Sequence, residues 1–151
     1  MKKWFECKVR YEKTMDNGML KKVTESYLVD ALSCTEAEAR MLKEMKPHIS
    51  GEFNISSVKQ AKYSDVFFDD SYSADRFFKC RVALITINEK TGAEKESAAN
   101  ILVQASHLKD AVVNLDEGMK GTLADYVIKG VNETNIMDVF LYDQESEVNN
   151  D

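Results

Sequence analysis

The sequence predicts an α+β fold built from two tandem copies of one β-β-α-β unit, with about six strands and two helices in all. Two observations predict this class. Blocks of the first half recur in the same order in the second half, and within each copy the hydrophobic period changes from two residues to 3.6 and back. At 151 residues the chain has the length of one ordinary domain. We therefore expect a single domain over 1–142, with repeats at 4–67 and 77–140 related by a pseudo-twofold axis.

The repeat consists of matched blocks that lie 73 or 74 positions apart. The matched blocks include 4–9 with 77–82, 27–31 with 101–105, and the sequence Asp-Val-Phe at 65–67 and again at 138–140. One extra residue in the second hairpin and one fewer after the second helix account for the change of offset. Several blocks matched in one order indicate an internal duplication.

Each copy opens with a predicted β-hairpin. In the first strand Phe5, Cys7 and Val9 alternate with charged residues, which is the pattern of a strand buried on one face. The segments 16–18 (Asp-Asn-Gly) and 90–92 (Lys-Thr-Gly) supply the glycine that a tight hairpin turn needs. Since Cys7 and Cys80 are equivalent, we expect both to be buried and unpaired.

A helix and a third strand follow each hairpin. Ser33 and Glu36 have the spacing of a capping box, and Pro47 ends the first helix because proline cannot continue its hydrogen bonds. Third strands are predicted at about 53–61 and 126–134. One helix on three strands buries little core, so we expect the two copies to pair as homodimer subunits do. Either one continuous sheet or two packed sheets would satisfy this pattern.

Charge is distributed unevenly along the chain. The formal net charge is −6, and the segment 138–151 contains five acidic residues with no lysine or arginine. The remainder is therefore almost neutral, so the acidic average does not exclude an anionic partner. The segment 68–75 is predicted to link the repeats, and 143–151 is predicted to be a disordered acidic tail.

The location is predicted from segments that the sequence lacks. No apolar run approaches the roughly 20 residues of a membrane-spanning helix, and the first residues do not have a signal-peptide pattern. Three widely spaced cysteines fit reduced thiols better than a disulfide framework. We expect a cytoplasmic protein without a membrane partner.

The chain resembles a small family of unknown function found in Bacteroidetes and their phages. The resemblance rests on the segments 4–11 (WFECKVRY), 36–40 (EAEAR), 61–64 (AKYS), 117–122 (EGMKGT) and 136–140 (IMDVF). It covers nearly the whole chain up to Tyr142. It implies no established active site, and it favours a phage-linked or mobile-element setting.

Residues suited to catalysis or metal binding are few. His48 and His107 are the only histidines, and the cysteines have no C-x-x-C spacing, so neither a catalytic triad nor a zinc site is predicted. The segment 118–122 contains two glycines but follows a helix and does not open one, as a phosphate loop would. We predict no catalytic residue, no metal and no cofactor, and hence no enzyme.

The outward face of each first strand carries the candidate binding residues. They are Trp4, Lys8 and Arg10 in the first copy and Phe77, Lys79 and Arg81 in the second. Aromatic rings with basic neighbours on a sheet bind single-stranded nucleic acid by stacking on bases and contacting phosphates. The alternative is that the two aromatic residues complete the core or the contact between repeats, while the cations are ordinary surface charges.

The function that the sequence favours is therefore a non-enzymatic binding or accessory protein with a protein partner. The alternative is a protein that binds single-stranded nucleic acid through both sheet faces and carries an acidic C-terminal tail. A homo-oligomer is compatible with either function.

Overall fold

A computed structural model describes residues 3–141 of the chain. These residues form two helices and eight strands, in the order β1 (Lys3–Thr14), β2 (Leu20–Ala31), α1 (Cys34–Met45), β3 (Phe53–Ala61), β4 (Asp65–Phe67), β5 (Arg76–Ile87), β6 (Glu94–Ala105), α2 (Leu108–Lys120), β7 (Asp125–Glu133) and β8 (Ile136–Phe140). The fold is α+β, as predicted. The prediction of about six strands was wrong by two, because the short segments after each third strand are strands themselves.

The chain divides into two compact units. Among the described residues, the first unit comprises 3–61 together with 135–141, and the second comprises Lys62–Thr134. The chain therefore passes between units at 61–62 and again at 134–135. The segment 68–75, predicted as the link between repeats, instead joins β4 to β5 inside the second unit.

The first unit is a four-stranded sheet with α1 on one face. The strand order is β3-β1-β2-β8, with β1 antiparallel to both β2 and β3, and β8 parallel to β2. Its core combines one face of β1 and β2 with the apolar stripe of α1. The buried residues of this core are Phe5, Cys7, Val9, Tyr27, Val29, Ala31, Ala37, Met41 and Met45.

The second unit has a sheet of the order β4-β6-β5-β7, with α2 on one face. Read from the other end, this order matches that of the first unit strand for strand. The pairings also match: β1 and β5 each shift register at one point, between Lys8 and Val9 and between Arg81 and Val82. The described strands thus form two separate sheets, which excludes the alternative of one continuous sheet.

The strands β4 and β8 occupy equivalent edges in opposite units. Each contains Asp-Val-Phe, and each runs parallel to the second strand of a hairpin from the other half of the sequence. Asp138 pairs with Tyr27, and Asp65 pairs with Ile101. Each half of the sequence thus supplies the edge strand of the unit that contains the other half's hairpin and helix.

Local sequence signals explain how the elements begin and turn. Gly18 and Gly92 have φ of +83° and +71°, which glycine adopts without steric cost in the two hairpin turns. Ser33 Oγ accepts a hydrogen bond from the Glu36 N–H at 3.2 Å, and Glu36 Oε2 accepts one from the Leu32 N–H. The capping interaction predicted for Ser33 is confirmed. Cys7 and Cys80 are both fully buried and free, also as predicted.

Among residues 3–141, no helix is both long and apolar enough to span a bilayer. The predicted acidic tail, 143–151, lies outside the described residues.

Candidate binding face of the first unit

The alternation of β1 determines which side chains leave the core. Phe5, Cys7 and Val9 point towards α1, so Trp4, Lys8 and Arg10 lie on the opposite face of the sheet. We call this side of each sheet its helix-free face. Lys8 and Arg10 are exposed there, and Trp4 is half-buried. The structure thus brings the three predicted residues of the first copy onto one surface.

Cross-strand pairing adds further charges to this face. Lys22 pairs with Glu12, and Lys59 pairs with Glu6, so both lysines share the helix-free face with β1. Within residues 3–141, Lys8, Arg10 and Lys22 make no ion pair. Sequence analysis missed Lys22, although extending the hairpin register back from its turn would have placed it beside β1.

An open groove of about 820 Å³ lies at the turn end of this hairpin. Arg10, Lys22 and Asn54 contribute to its lining, together with Tyr11 and Phe53. The Tyr11 hydroxyl donates a hydrogen bond to Glu25 at 2.7 Å. Burial, followed by this bond to a carboxylate, raises the pKa of Tyr11 to about 12. The groove thus combines two cations with two carboxylates, those of Glu12 and Glu52, and with amide and aromatic groups.

The second unit does not reproduce this surface. Phe77 is only 2% exposed, so it cannot offer its ring to a ligand from solution, and the prediction of an exposed ring there was wrong. Phe77 and Phe78 are adjacent and of the same residue type, and both are buried. Strand alternation predicts only one of the two to be buried, so the burial of Phe77 could not be predicted from it. Lys79 is half-buried and Arg81 is exposed.

The charges of the two faces differ at matched register positions. Arg81 lies over Gly130, where an added Cβ would be 2.8 Å from a guanidinium nitrogen. The residue equivalent to Arg10 is Ala83, and the residue equivalent to Lys22 is Glu96. The cluster of unpaired cations is therefore a property of the first unit.

Polar contacts between helix and sheet brace the two units in different ways. In the first unit the Arg40 guanidinium bonds the Asp30 carbonyl and lies 3.0 Å from the Asp30 carboxylate. At the equivalent place in the second unit, the Asn114 amide donates to the Gln104 carbonyl at 3.0 Å and to Asp69 at 2.9 Å. Bonds from the Ser71 and Asn114 groups lower the pKa of Asp69. Because these groups hold the fold, we assign them no part in binding.

Metal ions in proteins are held by several histidine, cysteine, aspartate or glutamate side chains that converge on one point. Within 3–141, no group of three or more histidine, cysteine, aspartate or glutamate residues is placed to hold a metal ion. The candidate site is therefore the set of exposed cations Lys8, Arg10 and Lys22 beside the groove.

Comparison with known proteins gives a family but no function. A search of curated proteins found no match to the chain. A family model described as "Domain of unknown function (DUF4494)" matches residues 3–142. Because that match covers both units and nearly the full length, the chain belongs to the DUF4494 family, a domain of unknown function.

Proposed function

We propose that the chain is a non-enzymatic binding protein and that the helix-free face of the first unit is its binding surface. The observation that carries this proposal is the cluster of Lys8, Arg10 and Lys22, exposed and without ion pairs within residues 3–141. Unpaired cations on one face favour an anionic partner, since charge complementarity speeds encounter and selects the partner. Glu6 and Glu12 lie on the same face, but its cations, with Lys59 included, outnumber these acids, whereas the chain as a whole is acidic.

Single-stranded nucleic acid is a second, narrower candidate for that partner. Trp4 favours it, because this half-buried ring lies on the same strand and face as Lys8 and Arg10. Bases that stack on such a ring gain about 1–3 kcal/mol each. The burial of Phe77 removes the second stacking platform that the sequence predicted. We therefore place the binding on the first unit alone.

The test is a fluorescence-polarisation titration of a labelled oligonucleotide of about 12 nucleotides at several salt concentrations. Three cations that contact phosphates predict a slope of log affinity against log salt of about −2, since single strands lose about 0.7 per contact. The double substitution Lys8→Ala with Arg10→Ala should reduce this slope to about −0.7. The matched control in the second unit, Lys79→Ala with Arg81→Ala, should leave it unchanged.

Trp4 provides an independent signal because it is the one tryptophan in the sequence. Stacking of a base on its ring should quench its fluorescence on binding, whereas binding through the cations alone should not. A labelled poly-glutamate peptide separates the two candidates. Salt-dependent binding of the peptide without binding of the oligonucleotide would support a protein partner. Binding of neither would contradict both assignments of this face.

We also propose that the chain arose by internal duplication. The two sheets have matching strand orders, and their register shifts in β1 and β5 lie 73 positions apart, as the matched sequence blocks do. Two units of independent origin would not be expected to share both features. We propose a cytoplasmic location, because three widely spaced cysteines fit reduced thiols. We also propose an origin in Bacteroidetes or their phages, as the sequence resemblance implies. Survey of the genomic neighbourhoods of family members would test that origin.

A further inference from the structure

The edge strands β4 and β8 are held by their acceptor strands in the same way. Val66 pairs with Leu102, and Val139 pairs with Leu28. The acceptor segments are 27–29 (Tyr-Leu-Val) and 101–103 (Ile-Leu-Val), which differ at one position. The two acceptor sites are therefore nearly identical in backbone register and in side chains.

Each residue of the Asp-Val-Phe motif makes the same kind of contact at both sites. Asp65 and Asp138 each accept a hydrogen bond from the next residue's N–H at 2.8 Å. Val66 and Val139 are both 8% exposed.

The phenylalanine rings join the helix-side cores. Phe67 packs against the core of the second unit, and Phe140 packs against that of the first. In the first unit this contact includes stacking on Tyr27, with ring centroids 5.7 Å apart.

We propose that both acceptor edges are binding sites for an extended Asp-Val-Phe strand, and that a second copy of this chain can supply it. Two features support exchange between copies. The connections that precede β4 and β8 are only three and two residues long, 62–64 and 134–135. A connection this short makes it difficult for a strand to fold back onto the sheet that the chain has just left, and so favours exchange with another copy. Each acceptor already takes its strand from the other half of the sequence. This proposal does not depend on the binding face described above.

The test uses the full chain carrying Phe140→Ala, which weakens β8 in its own site by removing the contact with Tyr27. Two labelled peptides are titrated, 135–141 (NIMDVFL) and 62–68 (KYSDVFF). Both should bind this variant at least tenfold more tightly than they bind the unaltered chain, whose own strand competes. Peptides in which the aspartate and the phenylalanine of Asp-Val-Phe are both replaced by alanine should bind at least tenfold more weakly. Hydrogen exchange should show new protection at 26–29.

The peptide 62–68 decides the question of shared recognition. If it does not bind while 135–141 does, or if the alanine peptides bind equally well, the proposal is overturned. Should Phe140→Ala fail to fold, Val139→Ala loosens the same strand and keeps the ring. Joint refolding of the variant with the unaltered chain should give mixed dimers in native mass spectrometry, and monomers alone would contradict exchange between copies.

Discussion

Glu25 and its two tyrosine partners distinguish the first core from the second. Its carboxylate accepts hydrogen bonds from the hydroxyls of Tyr11 and Tyr27. The equivalent positions in the second unit are Leu84, Ala99 and Ile101, which have no polar side-chain atoms. The partly buried Glu25 carboxylate is stable there while these hydrogen bonds are kept, so the first core depends on the protonation of its tyrosines.

Stability should therefore decrease in strong base. The pKa of Tyr11 is raised to about 12 by burial and by Glu25, and that of Tyr126 to about 12 by its bond to Asp116 and by burial. Tyrosines of the unfolded chain titrate near 10. Since the folded chain retains protons that the unfolded chain loses, stability is complete below pH 10 and falls as pH rises towards 12.

Denaturant unfolding at a series of pH values measures this loss, with tyrosinate absorbance followed in parallel. Glu25→Gln should lower the pKa of Tyr11 by removing the carboxylate charge, while leaving the Tyr126 transition in place. If tyrosinate forms completely near pH 10 in the folded protein, the burial of Tyr11 and the hydrogen bond of Tyr126 to Asp116 are wrong.

The three thiols should separate by accessibility. Cys34 is exposed, whereas burial raises the pKa of Cys7 to about 12 and that of Cys80 to about 11. Because the thiolate is the reactive form, a thiol reagent should label one cysteine of the native protein quickly and the other two only on unfolding. Cys34→Ser should abolish the fast phase. Fast labelling of two or more sites would contradict the strand phase of β1 and β5.

At the scale of single elements, Gly118 of α2 leaves the space that the Phe67 ring of β4 occupies. A Cβ built on Gly118 would overlap the Phe67 ring, with Phe67 Cγ only 2.8 Å away. In an exposed helix, exchange of glycine for alanine stabilises by about 1 kcal/mol. Here that gain is opposed by displacement of a ring that packs in the second core.

Gly118→Ala should therefore destabilise the protein by about 1–3 kcal/mol, measured by chemical denaturation. The control is Gly121→Ala at the end of the same helix, where an added Cβ meets only a backbone oxygen at 3.8 Å. It should change stability little. In a background of Phe67→Ala, Gly118→Ala should become neutral or stabilising, and additive costs would show that the two residues do not interact.

The elements with long hydrophobic periods could be predicted from the sequence, and the short ones could not. β1 and α1 were placed correctly because neighbouring residues alone indicate them. The signals are the alternation at Phe5, Cys7 and Val9 and the helix cap at Ser33. β4 has three residues, too few to show a period, and its identity depends on pairing with Ile101–Val103 far along the chain. The exposure of Lys8 and Arg10 on the helix-free face could likewise be predicted from the alternation of β1. The burial of Phe77 depends on tertiary packing, which the alternation of a strand does not report.

For the whole molecule, the boundaries of the units determine which fragments can fold. Fragments 1–70 and 74–151, which separate the two sequence halves, should each fold poorly. The structure supplies a reason, because the first fragment lacks β8 and the second lacks β4. The second unit, however, is continuous from Lys62 to Thr134.

Fragment 62–134 should therefore melt cooperatively, while 74–134 should not. The two differ by residues 62–73, that is, β4 with its flanking segments, which supply Val66, Phe67 and the Asp69 contacts to Asn114. At about 70 residues the longer fragment is near the lower limit for a stable core, so loss of one strand should be decisive. Circular dichroism against temperature measures both. Equal melting curves would show that β4 contributes nothing to the second unit.

The placement of β8 has a consequence for synthesis. The first unit has β1, β2, α1 and β3 once Ala61 is made, but its last strand begins 75 positions later, at Ile136. At 5–20 residues per second the ribosome takes roughly 4–15 s to make that interval. For that time the edge of β2 has no permanent partner, and an open edge can pair with other nascent chains. A premature stop codon just before 136 would leave every strand of the second unit intact. The first unit would lack its last strand, although most of it is translated first.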